Sequence, residues 1–133
     1  MLNKGILNPH INNLLARVRH ANTLLIADRG FTYYPEVETI DISLVDGIPT
    51  VLQVLEAIKP VFDVSQIYMA EQFLLENTQS VQDAFIKSFG KIPYTFEDYY
   101  AMKSRVPGAI GIIRTADTIQ YANMLLVSGR VEN

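Results

Sequence analysis

The chain contains no cysteine, which excludes thiol nucleophiles, disulfide frameworks and thiolate metal sites together. Histidine is almost as scarce. Of the two, His10 lies near an expected helix start with no carboxylate at metal-ligand spacing, so no metal site is expected. Phosphate-binding glycine patterns are missing too: neither GxGxxG nor GxxxxGK followed by Ser or Thr occurs after an apolar segment, and no GxSxG elbow holds a serine nucleophile. Dinucleotide-binding, P-loop and triad-hydrolase readings therefore fail. The basic residues are scattered from Lys4 to Arg130 and the formal charge is −3, so there is no electrostatic footprint for nucleic acid. No signal-peptide pattern opens the sequence, and no apolar run approaches the roughly 18 residues that cross a bilayer. A soluble, cytoplasmic protein without nucleic-acid or membrane partners is expected.

What is present fits one globular domain over residues 1–133. The hydrophobic fraction of 49% against 19% charged residues is enough for a core and too apolar for intrinsic disorder. Asn8-Pro9 opens a helix, since Asn caps and Pro suits the first helical position, and Ile11, Leu14, Leu15 and Val18 recur on one face. TLLIA at 23–27 is short, continuous and bounded by polar residues, as a strand buried on both faces should be. A second strand is expected over 39–44, half polar. Gly47-Ile48-Pro49-Thr50 then starts a helix in which Val51, Val54, Leu55 and Ile58 share a face until Pro60 stops it. A third strand is expected over 66–70, then a helix over 77–89 ended by Gly90. Residues 92–94 suit a short edge strand, and Thr95 with Asp98 suggests a cap for a helix over 96–104. The last strands are expected over 109–114 and 124–127. Alternating helices and apolar strands point to an α/β three-layer sandwich with a mostly parallel central sheet.

Ligands of such sheets bind beyond the carboxyl ends of the strands, which directs attention to Asp28-Arg29-Gly30 and to the residues following Met69. His20 stands eight residues earlier, at the near end of the same strand. Most of a strand length separates the two, so either a loop folds back or a neighbouring subunit contributes if both serve one site. Structural roles fit these residues as well. His20 suits a helix C-terminus, Asp28 suits a turn, and the 121–123 segment suits a strand entry.

The segments LNKGILNPHI at 2–11, His20, LLIADRG at 24–30, IDISLVDGIP at 40–49, YMAEQ at 68–72 and IIRTADTIQYANMLLVSGRV at 112–131 together resemble the D-ribose pyranase and L-fucose mutarotase family. The resemblance implies a cofactor-independent sugar isomerase interconverting ribose ring forms or fucose anomers. It implies His20 as the proton donor, with Asp28, Tyr121, Ala122 and Asn123 binding the sugar. It also implies a ring-shaped homo-oligomer, pentameric or decameric, with sites between subunits. Where the family commonly has a sugar-binding histidine or arginine near the start of a helix, this sequence aligns Phe96. Glu71 is a weaker substrate-binding candidate. Arg29, in place of a small residue or histidine, could pair with Asp28 or reach a phosphate. RTGE of the family is replaced by Arg114-Thr115-Ala116-Asp117. The rival reading is a non-catalytic sugar-binding or regulatory protein of a carbohydrate uptake system.

Overall fold

The computed structural model describes residues 1–131. Its elements are α1 (Pro9–Arg17), β1 (Thr23–Ala27), β2 (Thr39–Asp41), α2 (Val51–Ile58), β3 (Val64–Ala70), α3 (Gln72–Glu76), α4 (Gln79–Phe89), β4 (Tyr94–Glu97), α5 (Tyr99–Ser104), a 3-10 turn (Val106–Gly108), β5 (Gly111–Arg114) and β6 (Met124–Ser128). The strands form one sheet in the order β2-β5-β1-β6-β3-β4. Five strands run parallel. β6 runs against both of its neighbours, β1 and β3, and joins them.

Alternation along β1 explains its unbroken apolar sequence. Leu24 and Ile26 face one core with Ile11, Leu14, Val54, Leu55, Phe85 and Phe89 from α1, α2 and α4. Leu25 and Ala27 face a second core with Phe31, Val37, Met102 and Val106, supplied by the loop after β1, by α5 and by the 3-10 turn. The sheet is thus covered on both faces, as its sequence requires. The approach of α1 is close: a Cβ at Gly111 on β5 would lie 2.6 Å from Leu14 Cδ1, so any larger residue there would force the Leu14 side chain to move. The His20 turn is held at the amino end of the sheet by backbone bonds to β6, the Ala21 N–H donating to Ser128 O at 2.8 Å and the Ser128 N–H to Asn22 O at 2.8 Å.

Two expectations are corrected. β2 stops at Asp41, because the Asp41 carboxylate accepts the Ser43 backbone N–H at 2.9 Å and turns the chain out of the ladder. Between β3 and α4, residues 72–76 form the short helix α3, whose Phe73 is buried. The helix expected over 96–104 begins only at Tyr99. Thr95 and Phe96 belong to β4, parallel to β3, and the cap is Asp98, whose carboxylate accepts the Tyr100 N–H at 3.0 Å. The physical reason is Phe96 itself. Its ring stacks on Phe73 at 6.0 Å, a packing that extended backbone delivers to the core.

Candidate active site

β1 delivers Asp28 to the carboxyl end of the sheet, where a cleft of about 280 Å³ is lined by Asp28, Arg29, Phe31, Tyr99, Tyr121 and Asn123, with the 117–120 segment. Two segments distant in sequence meet here. The side-chain oxygen of Asn123 accepts the Asp28 backbone N–H at 2.7 Å, and Asn123 is only 3% exposed. With its oxygen engaged, the amide nitrogen of Asn123 is the donor left for a ligand or for the Asp28 carboxylate. Asp28 Oδ1 also accepts the Gly30 N–H at 3.0 Å. Burial nevertheless dominates and raises the Asp28 carboxyl above its ordinary value. The Gly30 and Phe31 amides and the Asn123 side chain pull it back down, and nearby Asp117 adds to the rise.

Tyr121 enters the cleft from a left-handed backbone, with φ at 56°. A bulky side chain in that region costs on the order of 1–3 kcal/mol, a strain retained where the surroundings over-determine it. Those surroundings are tight: Ala122 and Asn123 are buried behind it, and Tyr99 packs edge-on against its ring at 5.4 Å and 84°. Burial, followed by the neighbouring Tyr121 and Asp28, raises the Tyr99 phenol above its ordinary value. The cleft therefore offers an acceptor carboxylate, an amide donor, two phenols and an aromatic wall, which is the equipment for a polyhydroxylated ring.

His20 lies elsewhere. It is exposed at the amino end of β1, in a second depression of about 490 Å³ shared with Leu15, Val18, Arg19, Val61, Phe62, Asp63 and residues 128–130. The five residues of β1 alone separate the two ends by about 17 Å at ~3.3 Å per residue. One chain does not bring His20 to Asp28. Gly129 keeps His20 unobstructed: its φ is 148°, and a Cβ there would stand 3.1 Å from the imidazole Nδ1.

The structure brings together Asp28, Arg29, Tyr121 and Asn123, with Ala122 buried behind them. It does not bring Glu71 or Phe96 to the cleft lining. Glu71 is exposed at the start of α3, its backbone N–H donating to Glu97 O at 2.7 Å. Phe96 sits on the other core, as described. Arg29 turns outward and pairs with Asp46 at 2.7 Å, both half exposed, rather than with Asp28. Tyr99 is the residue that sequence reasoning missed. The available signal was Asp98, whose position as helix cap makes Tyr99 the first residue of α5. Among the described residues no cluster of three or more acidic or histidine side chains could hold a metal ion, and no helix is long and apolar enough to cross a membrane.

Against known proteins, the sequence pattern of the RbsD / FucU transport protein family matches residues 1–131. A D-ribose pyranase of Geobacillus kaustophilus is 35% identical over 129 residues, covering 97% of this chain and 94% of that protein. The structure of Bacillus subtilis RbsD complexed with D-ribose superimposes with a TM-score of 0.90 at 26% identity, over 99% of this chain and 100% of that one. The Streptococcus pneumoniae fucose mutarotase in complex with L-fucose is more distant. Its TM-score is 0.72 at 18% identity, over 94% of each chain, which is a likeness of fold.

Proposed function

Because this chain belongs to the RbsD / FucU transport protein family, we propose that it is a sugar isomerase that exchanges the cyclic forms of a monosaccharide, with D-ribose the leading substrate. The choice of ribose follows the relatives. The 35%-identical protein carries the pyranase name, and the solved structure with a TM-score of 0.90 holds D-ribose. The observation that carries the reading is the cleft itself, in which Asp28, Tyr121 and Asn123 converge with Tyr99 at the carboxyl end of β1. Charge supports an uncharged sugar over a phosphorylated one. Asp28 and Asp117 line the cleft, and both nearby cations are engaged: Arg29 on Asp46, and Arg114 Nη1 at 3.3 Å from the carbonyls of Asp28 and Arg29.

Converting a pyranose to a furanose takes a proton from the anomeric hydroxyl and delivers one to the ring oxygen as the C1–O5 bond breaks. Attack of the C4 oxygen on the freed aldehyde, with the two proton transfers reversed, closes the smaller ring. The reaction is redox-neutral, and it asks for a side chain that gives and takes protons near neutrality, for which imidazole is suited. His20 has that role in our reading, while Asp28, Asn123, Tyr121 and Tyr99 orient the hydroxyls and the ring face. Since about 17 Å of strand separates His20 from Asp28, His20 must come from a second copy of the chain. A ring-shaped homo-oligomer supplies it. Exposed Leu44, Val45 and Ile48, flanking the Asp46 that holds Arg29 at the cleft, offer apolar surface for such a contact.

Magnetization-transfer NMR on D-ribose and on L-fucose, with the wild type and with His20→Ala, tests this directly. Accelerated exchange with one sugar, lost in the variant while sugar affinity is kept, supports the isomerase. Sugar binding without acceleration replaces it with the non-catalytic binder.

A further inference from the structure

Asp117 is a buried carboxylate to which the ring-opening chemistry gives no task. It is 3% exposed, and every oxygen it carries is used. Oδ2 accepts the backbone N–H of Val51 at 2.9 Å, and Oδ1 accepts that of Ile119 at 2.9 Å. Its main-chain oxygen accepts the Arg29 N–H at 3.1 Å. Its own N–H donates to Thr115 Oγ1 at 3.2 Å, and that hydroxyl donates to the Ala27 carbonyl at 2.8 Å. One residue thereby touches the turn that carries Asp28, the first residue of α2, and the segment leading to Tyr121 and Asn123.

Resting on the sugar-isomerase reading above, we propose that Asp117 is the positioning residue of the cleft, clamping its Asp28 side and its Tyr121–Asn123 side to the amino end of α2. The choice of a carboxylate has a chemical reason. Two backbone N–H groups approach two different oxygens, and only an ionised acid presents acceptors on both arms. An amide would place an NH2 against one of them. The site also suits a negative charge, because the amino end of a helix carries positive potential and both bonds are charge-assisted. Thr50 caps the same helix through the Gln53 N–H, so Asp117 satisfies a different orphan donor from far along the chain.

The clamp also acts through its charge. Asp28 is faced by Asp117 and Tyr121 from the β5–β6 connection, by Tyr99 from α5, and by the Asn123 amide and the Gly30 and Phe31 backbone N–H groups. Arg29 points away to Asp46, and Arg114 is held on backbone carbonyls. Burial is the main cause that pushes Asp28 toward its protonated form, and the negative charge of Asp117 adds to it.

Asp117→Asn tests both actions. With D-ribose as probe, the half-saturating concentration should rise about tenfold or more while the maximal exchange rate changes by less than about threefold, as expected when the sugar-binding side chains are loosened and contacts made equally to the bound sugar and the transition state are weakened. In the sugar-free protein, the carbon-13 titration of the Asp28 carboxyl should move to lower pH. Unchanged half-saturation overturns the proposal and leaves Asp117 as a helix cap. Should Asp117→Asn fail to fold, Val51→Pro removes one donor at a first-turn position that tolerates proline. It should raise half-saturation by about threefold or more, with the charge intact; no rise overturns the clamp. If the wild type exchanges no sugar, the isomerase reading falls alone, and the half-saturation of D-ribose binding in Asp117→Asn, read by NMR titration, still decides the role of Asp117.

Discussion

The two ends of β1 are built on opposite principles. At its carboxyl end Asp28 is half-buried, fixed by Asn123, and enclosed by a strained tyrosine and a buried second carboxylate. At its amino end His20 is exposed, and the cleared space beside it comes from Gly129. A rigid, desolvated end suits recognition of a ligand with many hydroxyls, whereas an open end suits a group that must dock into another molecule's cleft. The difference teaches that incompleteness in the single chain is itself informative. Half of the expected machinery is pre-organised and half is presented outward.

The sharpest way to break the comparison is to separate the ends genetically. His20→Ala and Asp28→Ala should each be nearly inactive alone, with losses of about 10²-fold or more for the acid/base group. Co-assembly of the two variants should restore about a quarter of the sites, since each restored site takes its intact halves from different chains. Activity by magnetization transfer that stays at the level of the separate variants would mean that both ends serve within one chain. A smaller effect is expected from Gly129→Ala, whose Cβ would crowd the imidazole Nδ1. Its exchange rate should fall about tenfold with half-saturation unchanged, because only the outward end is disturbed. A change in half-saturation instead would link the two ends.

Asp28 itself gives a thermal signature. Its carboxyl is raised above 3.8, first by burial, so the folded state holds a proton through a window in which the unfolded chain has lost it. Stability therefore falls as pH climbs from 3.8 through the raised value and stays lower above it. Asp28→Asn should gain about 1–4 °C in Tm near neutral pH and nothing well below both values, read by calorimetry. Asp41 has the reverse sign. The Ser43 hydroxyl lowers its carboxyl most, burial opposes it next, and the Ser43 amide and Arg114 add smaller lowering effects. Its contribution is present above 3.8 and is lost as pH falls through the lowered value. The smallest effect belongs to Arg29→Ala. Its half-exposed pair with Asp46 contributes less than about 1 kcal/mol. Affinity for uncharged D-ribose should stay within about twofold, and a large loss would mean that the guanidinium leaves Asp46 to contact the sugar.

The parts legible in the sequence were those with short-range causes. Continuous burial on two faces marks β1 to the residue, and Asn8-Pro9 and Thr50 mark helix starts because capping is local. The separation of His20 and Asp28 was legible from spacing alone. The junction of Asp28 with Asn123 depends on a bond between residues 95 apart, and no local pattern encodes it. Tyr99 was hidden by the three-residue difference in where α5 begins, since Thr95 and Asp98 both look like caps and only the packing of Phe96 on Phe73 decides between them. Asp117 looked like an altered motif residue, because its main partner, Val51, lies 66 positions away.

The reversed strand β6 has a consequence for folding. It lies between β1 and β3, which have no ladder with each other, so until residues 124–128 arrive the sheet exists as two separate pieces with unpaired edges. Tyr121 and Asn123 lead into that same strand. Joining the two pieces of the sheet and completing the cleft are therefore a single event, before which the facing edges of β1 and β3 are open to pairing with another chain.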